Sequence, residues 1–134
     1  MIIGSISENI NFEKRVAITP EIIKKYKSLG MEIYLNKNYA NHLGIKDQDY
    51  EMNGAKICSS EDEVISNSHA LLQLNILSED NLNKLNNKQI LIGVLNPYLN
   101  KEKIATISKK NVICFSLELL PRITRAQSMD ILSS

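Results

Sequence analysis

Glycine is sparse in this chain of 134 residues, and none of the five, Gly4, Gly30, Gly44, Gly54 and Gly93, stands two positions from another. With no G-x-G pair the dinucleotide fingerprint is excluded, and with no two glycines five apart the P-loop is too, so the sequence carries no standard phosphate cradle. Nowhere do about 18 apolar residues run together, and Met1 to Ser7 has no basic segment followed by a long apolar one. Neither membrane spanning nor export is therefore expected, and the chain reads as cytoplasmic. Cysteine is limited to Cys58 and Cys114, far apart, with apolar neighbours such as Ile57, Ile113 and Phe115 and no metal-ligand spacing. They read as buried free thiols, and no metal is expected. A formal net charge of +1 lacks the basic excess of a nucleic-acid binder. His42 and His69 have no acidic or cysteine partner nearby in sequence, and there is no nucleophile elbow. His69, at the entry to an apolar strand, reads as structural, and His42, in a polar loop, as solvated.

What remains is an alternation of two periodicities. Ile2 to Ile6, Met31 to Leu35, Ala70 to Leu74, Ile90 to Leu95 and Val112 to Phe115 read as strands. Pro20 to Leu29, Glu79 to Leu85 and Lys101 to Ser108 carry apolar residues three or four apart, as amphipathic helices do, and Asp47 to Asn53 reads as a short helix. The first helix is well punctuated, with Thr19 placed to cap it, Pro20 at its first position and Gly30 to stop it. Strand, helix, strand repetition predicts a single α/β domain over 1–134. Its parallel sheet is expected to be flanked by helices on both faces, in a Rossmann-like or flavodoxin-like three-layer arrangement.

Arginine is rarer than glycine, and two of the three, Arg122 and Arg125, fall in the last fourteen residues, with Arg15 the third. A planar guanidinium recognises carboxylates and phosphates at two points, which a lysine cannot do. Thr124 followed by Gln127 forms a capping box that starts a helix near Arg125, leaving Arg122 just outside. On that helix Ala126, Met129 and Leu132 share one side, while Gln127, Asp130 and Ser133 or Ser134 share another. An amide, a carboxylate and a hydroxyl beside an arginine suit a ligand bearing amide and sugar hydroxyl groups; a solvated helix with a surface ion pair is the alternative. The helix reaches Ser134 without a stop signal, so the chain is expected to be a fragment of a longer one.

The segment Pro121-Arg122-Ile123-Thr124-Arg125-Ala126-Gln127-Ser128-Met129-Asp130-Ile131-Leu132-Ser133-Ser134 resembles the signature of the alpha subunit of proton-translocating NAD(P) transhydrogenases. Glu13-Lys14-Arg15-Val16-Ala17-Ile18-Thr19-Pro20 resembles the E-x-R-V-A-x-T-P motif that this subunit shares with alanine dehydrogenases. The resemblance implies the first of two α/β domains, with the Rossmann domain that carries G-x-G-x-x-G absent from this chain. It implies hydride transfer from NADH to NADP, with NAD(H) bound in the cleft between the domains and NADP(H) held by a different component. It implies a homodimer of alpha subunits, peripheral to the inner membrane through partner subunits that span it and translocate protons. Carried over by motif position, Arg122, Gln127, Asp130 and Ser133 line the nicotinamide side of the cleft, with Arg122, Gln127 and Asp130 closest to the chemistry. Arg15 is either a ligand contact or the structural partner of an acidic side chain near the first helix. In alanine dehydrogenases a lysine and a histidine also hold the keto acid. Here those positions are Asn75 or Gln73, and Asn96, none of which supplies charge or a proton at neutral pH. An alanine dehydrogenase-like domain and a non-catalytic assembly module stand as the other readings.

Overall fold

The computed structural model describes residues 1–11, 13–95 and 99–116. Six parallel strands form one sheet: β1 (Ile2–Ser5), β2 (Glu32–Asn36), β3 (Lys56–Cys58), β4 (Ala70–Asn75), β5 (Ile90–Val94) and β6 (Ile113–Ser116), in spatial order β3-β2-β1-β4-β5-β6. The helices are α1 (Pro20–Ser28), α2 (Asp47–Met52), α3 (Glu61–Asn67), α4 (Glu79–Asn83) and α5 (Lys101–Lys109), with a 3-10 turn at Asn41–Leu43.

Buried strands read as continuous apolar runs because both sheet faces are covered. Leu72 and Leu74 of β4 join Ile22, Ile23 and Tyr26 of α1 and Tyr50 of α2 in one core cluster. Leu71, on the opposite face, joins Val64 and Ile65 of α3, Leu82 of α4 and Ile107 of α5 in the other. The expected three layers are thus present. At full burial each such leucine or isoleucine contributes roughly 1.5–3 kcal/mol, which is why these positions fix the register.

Several local expectations change. β3 and α3 were not foreseen: β3 has only three residues, too few for a period to show. The start of α3 carries an S-x-x-E signal, with Ser60 Oγ accepting from the Glu63 N–H and the Glu63 carboxylate accepting from the Ser59 N–H. Thr19 sits at the first helix's cap position in extended conformation, yet its side chain makes no cap bond and its hydroxyl oxygen is buried without a partner. Gly30 does take the left-handed conformation, with φ of 86°. Cys58 is buried, but Cys114 is exposed, because β6 is an edge strand that leaves both its faces open. His69 has the structural role expected, its Nδ1 accepting from the Ile2 N–H at 2.9 Å. His42 is exposed as expected, and its Nε2 lies 2.7 Å from the Lys14 carbonyl oxygen. Among the described residues no helix is long and apolar enough to cross a membrane.

Candidate functional site

The chain builds β1, β2 and β3 outward in one direction, then returns to lay β4 on the other side of β1. The connections that leave the carboxyl ends of β1 and β4 therefore diverge, opening a crevice at the switch point, where ligands of open α/β sheets bind. Here the crevice has a volume of about 400 Å³ and is lined by Glu8, Asn9, Glu13, Asn75, Ile76, Ser78, Val94, Asn100 and Lys103.

Side chains from both neighbouring strands prolong β1 into this crevice. The backbone pairing of β1 with β4 runs only through Ile3↔Ala70 and Gly4↔Leu71. Beyond it the Gln73 side chain acts as one more rung: its Oε1 accepts from the Ile6 N–H at 2.8 Å and its Nε2 donates to the Ile6 carbonyl at 3.0 Å. On the opposite side Asn36 of β2 holds the next residue, its Oδ1 accepting from the Ser7 N–H at 2.8 Å and its Nδ2 donating to Ser7 Oγ at 2.9 Å. Ser5 Oγ donates to the Leu72 carbonyl at 2.7 Å and so accepts from Tyr39 Oη, also at 2.7 Å. A buried polar network of this kind fixes one arrangement because every unmade bond would be costly.

The network delivers Glu8. Its carboxylate accepts from Gln73 Nε2 at 2.9 Å, from the Leu74 N–H at 2.9 Å and from the Asn75 N–H at 3.3 Å. Two successive backbone N–H groups can turn to one carboxylate because the ladder to β5 slips between Gln73 and Asn75. This bulge leaves Leu74 unpaired in the ladder and redirects the strand end, a common device beside functional sites. Burial pushes the Glu8 carboxyl above its usual range, while the backbone N–H groups of Leu74 and Asn75 pull it back in part.

Glu8 leads to Glu13 through Asn75, whose Nδ2 donates to Glu13 Oε1 at 3.2 Å. Arg15 grips the same carboxylate at two points, Nε to Oε2 at 2.9 Å and Nη2 to Oε1 at 2.8 Å. That grip lowers the Glu13 carboxyl to about 2. The Arg15 side chain stays 79% exposed while Glu13 is only 14% exposed. The structure thus supplies the acidic partner for Arg15, and the guanidinium edge not spent on Glu13 is free to meet a solvent-borne group.

Of the residues that the sequence singles out, Arg15, Gln73 and Asn75 fall at this one place. Gln73 is 1% exposed and fully engaged, so it is a strut of the crevice and no ligand contact. Arg122, Gln127, Asp130, Ser133 and Asn96 lie outside the described residues, as does the Thr124–Gln127 capping box. Sequence reasoning missed Glu8. A polar Gln73 inside the apolar run Leu71-Leu72-Gln73-Leu74 was the available sign that something polar needed a partner there.

These features define a doubly wound α/β domain with a side-chain-built crevice at its switch point. The family description "Alanine dehydrogenase/PNT, N-terminal domain" matches residues 4–134, and the chain belongs to that family. The first part of the NAD(P) transhydrogenase subunit alpha of Rickettsia prowazekii is 38% identical over the whole of this chain and 36% of the relative. Its namesake from Rhodospirillum rubrum is 32% identical over 91% of this chain and 33% of its own length. Among solved structures, the transhydrogenase from Sinorhizobium meliloti superposes with a TM-score of 0.87 at 32% identity, covering 99% of this chain and 40% of that one. An L-alanine dehydrogenase shares the fold, with a TM-score of 0.82 at 19% identity over 88% of this chain and 32% of that one. The resemblance to the N-terminal domain of the transhydrogenase alpha subunit, drawn from the two sequence motifs, is borne out by these relatives. The chain spans about a third of the length of the curated relatives it matches.

Proposed function

We propose that this chain serves as the first domain of a proton-translocating NAD(P) transhydrogenase alpha subunit, forming one wall of its NAD(H) cleft. A second domain, bearing the glycine-rich turn that this chain lacks, contributes the other wall. The hydride and its electron pair pass from C4 of the reduced nicotinamide of NADH to C4 of NADP⁺, giving NAD⁺ and NADPH with no proton exchanged at the site. Such a transfer needs positioning and exclusion of water and no acid or base, in keeping with a sequence that shows no titratable dyad. NADP(H) is held by another component, the alpha subunit is a homodimer, and proton passage belongs to membrane-spanning partners. The domain then lies at the cytoplasmic side of the inner membrane.

Within the proposal Arg122 reaches toward the cofactor or the NADP(H)-binding component, and Gln127 positions the ring or ribose region. Asp130 and Ser133 hydrogen-bond the carboxamide or a ribose hydroxyl. The observation that carries the reading is the match of residues 4–134 to the family, together with a switch-point crevice built without a phosphate cradle. Reduction of a keto acid is disfavoured because Gln73 is consumed as a strut and Asn75 is an amide, which leaves no proton donor at the position where the sibling enzymes place lysine.

Hydride transfer between NADH and an NADP⁺ analogue, measured in the complete enzyme, tests this reading. Arg122→Ala is expected to slow transfer by at least about tenfold while the urea midpoint stays unchanged, since removal of a charged contact at a site is worth about 1.5–3 kcal/mol. Unchanged transfer in that variant removes Arg122 from the site. The 134-residue chain alone is expected to bind NADH weakly or undetectably, and submicromolar affinity contradicts the two-wall account.

A further inference from the structure

Asn75 closes β4 with its backbone and its side chain pinned separately. Its backbone N–H goes to the Glu8 carboxylate at 3.3 Å, beside that of Leu74 at 2.9 Å, and its Nδ2 donates to Glu13 Oε1 at 3.2 Å. The amide cannot be turned over. Arg15 holds the Glu13 carboxyl ionised down to about 2, so that group only accepts, and a reversed Asn75 would set Oδ1 against a carboxylate oxygen. The Asn75 side chain also acts as a donor toward Glu8, which helps to hold that second carboxyl down.

With its donors spent on two carboxylates, Asn75 keeps one unspent atom. Oδ1 makes no hydrogen bond among the described residues, and Asn75 is half-buried where it lines the switch-point crevice. Glu8 and Glu13, both from the connection after β1, thus present a fixed acceptor to whatever enters. An acceptor fixed beforehand loses little freedom when it is used. Carboxylate and phosphate groups carry only acceptors and have nothing to offer it. Its complement is an uncharged or cationic group with an N–H or O–H to give.

We propose that Asn75 is a specificity-determining contact of this crevice, its Oδ1 accepting from the carboxamide N–H of the hydride acceptor, the nicotinamide of NADP⁺. The assignment rests on the hydride-transfer reading above. There Asp130 and Ser133 serve the nicotinamide end of NAD(H). The second nicotinamide must lie against the first for the hydride to pass, and its carboxamide is the donor still without a partner. One side chain then admits an amide and refuses an acid.

Steady-state hydride transfer from NADH in the complete enzyme tests the assignment, with two analogues of NADP⁺ as acceptors. Thionicotinamide-NADP⁺ keeps the amino group, whereas acetylpyridine-NADP⁺ has a methyl in its place. Each analogue's own reactivity cancels when the ratio of their kcat/KM values is compared between wild type and a variant. Asn75→Ala is expected to shrink the ratio about fivefold to tenfold, the worth of one hydrogen bond, by losing activity with the thionicotinamide analogue alone. Asn75→Val, suited to a strand end, is expected to do the same, so either variant that folds gives the answer. Asn75→Gln keeps an amide and is expected to hold the ratio within about threefold of wild type.

An equal ratio in wild type and the two apolar variants overturns the assignment and leaves the hydride-transfer reading standing; a contact to ribose gives that result, because both analogues carry the same sugar. With the corresponding analogues placed on the NADH side, the ratio is expected to be the same in every variant. A shift on that side in place of the NADP⁺ side overturns the assignment to the acceptor. Wild-type enzyme that passes no hydride from NADH to either analogue overturns the reading beneath it, a result distinct from an unmoved ratio.

Discussion

Replacing Gly93 with alanine tests the bulge that aims the end of β4. Gly93 pairs with Gln73, and a Cβ placed on it would fall far inside van der Waals contact of the Gln73 carbonyl oxygen and 3.1 Å from the carbonyl carbon. Both atoms are backbone, so no side chain can swing aside to relieve the clash. Either β5 moves away from β4 or the slip between Gln73 and Asn75 is remade. Overpacking of this kind costs about 1–3 kcal/mol. Remaking the slip also disturbs the Leu74 and Asn75 N–H bonds to Glu8, and a hydrogen bond to a charged group is worth about 1.5–3 kcal/mol. A loss of about 3 kcal/mol is expected, the upper end of either cost alone, since relief of one increases the other. With a urea slope of about 1.5–2 kcal/mol/M for a domain this size, the midpoint should fall by about 1.5–2 M in circular dichroism. Gly30→Ala is the companion measurement: its φ of +86° strains an alanine, but nothing lies within 4 Å, so about 1 kcal/mol is expected. The reasoning is refuted if Gly93→Ala unfolds within about 0.3 M of wild type, or if Gly30→Ala proves the more damaging of the two.

Gln73→Leu keeps the volume of the strut but leaves the Ile6 N–H and carbonyl without partners, and a stability loss of about 3–4 kcal/mol by urea unfolding is expected; a loss below about 1 kcal/mol would show that the rung is dispensable. The Glu13 carboxyl is lowered to about 2 by Arg15, so its contribution to stability is complete above about pH 4.5 and fades as the pH falls toward 2. Because the arginine is exposed, about 1 kcal/mol is at stake, seen as a steeper acid loss in wild type than in Glu13→Gln; parallel acid profiles contradict the pairing. The raised Glu8 carboxyl acts with the opposite sign, and comparing the two chains sets most of its effect aside.

The sheet was legible where period and length were sufficient. Ala70 to Leu74 and Ile90 to Leu95 are apolar enough to declare buried parallel strands, and Pro20 with Gly30 bracketed α1 to within a residue or two. β3 was too short to show a period, and only the Ser60-x-x-Glu63 cap after it marked the next helix. Strand order was not readable, because it depends on packing between segments far apart in sequence. At the crevice, the motif around Arg15 was legible through resemblance, while Glu8 was not. Its role follows from a ladder slip in β4, which leaves no local signature.

The connection from β1 to α1 runs through residues 6–19, where a fingerprint domain would make a tight glycine turn. A turn that cradles a ligand with peptide groups is indifferent to most side-chain changes, since any sequence that keeps the path keeps the contacts. Here the connection contributes Glu8, Asn9 and Glu13 as side chains. Recognition built this way can be rewritten one codon at a time, so closely related members of this scaffold can diverge in what they hold without altering the course of the backbone.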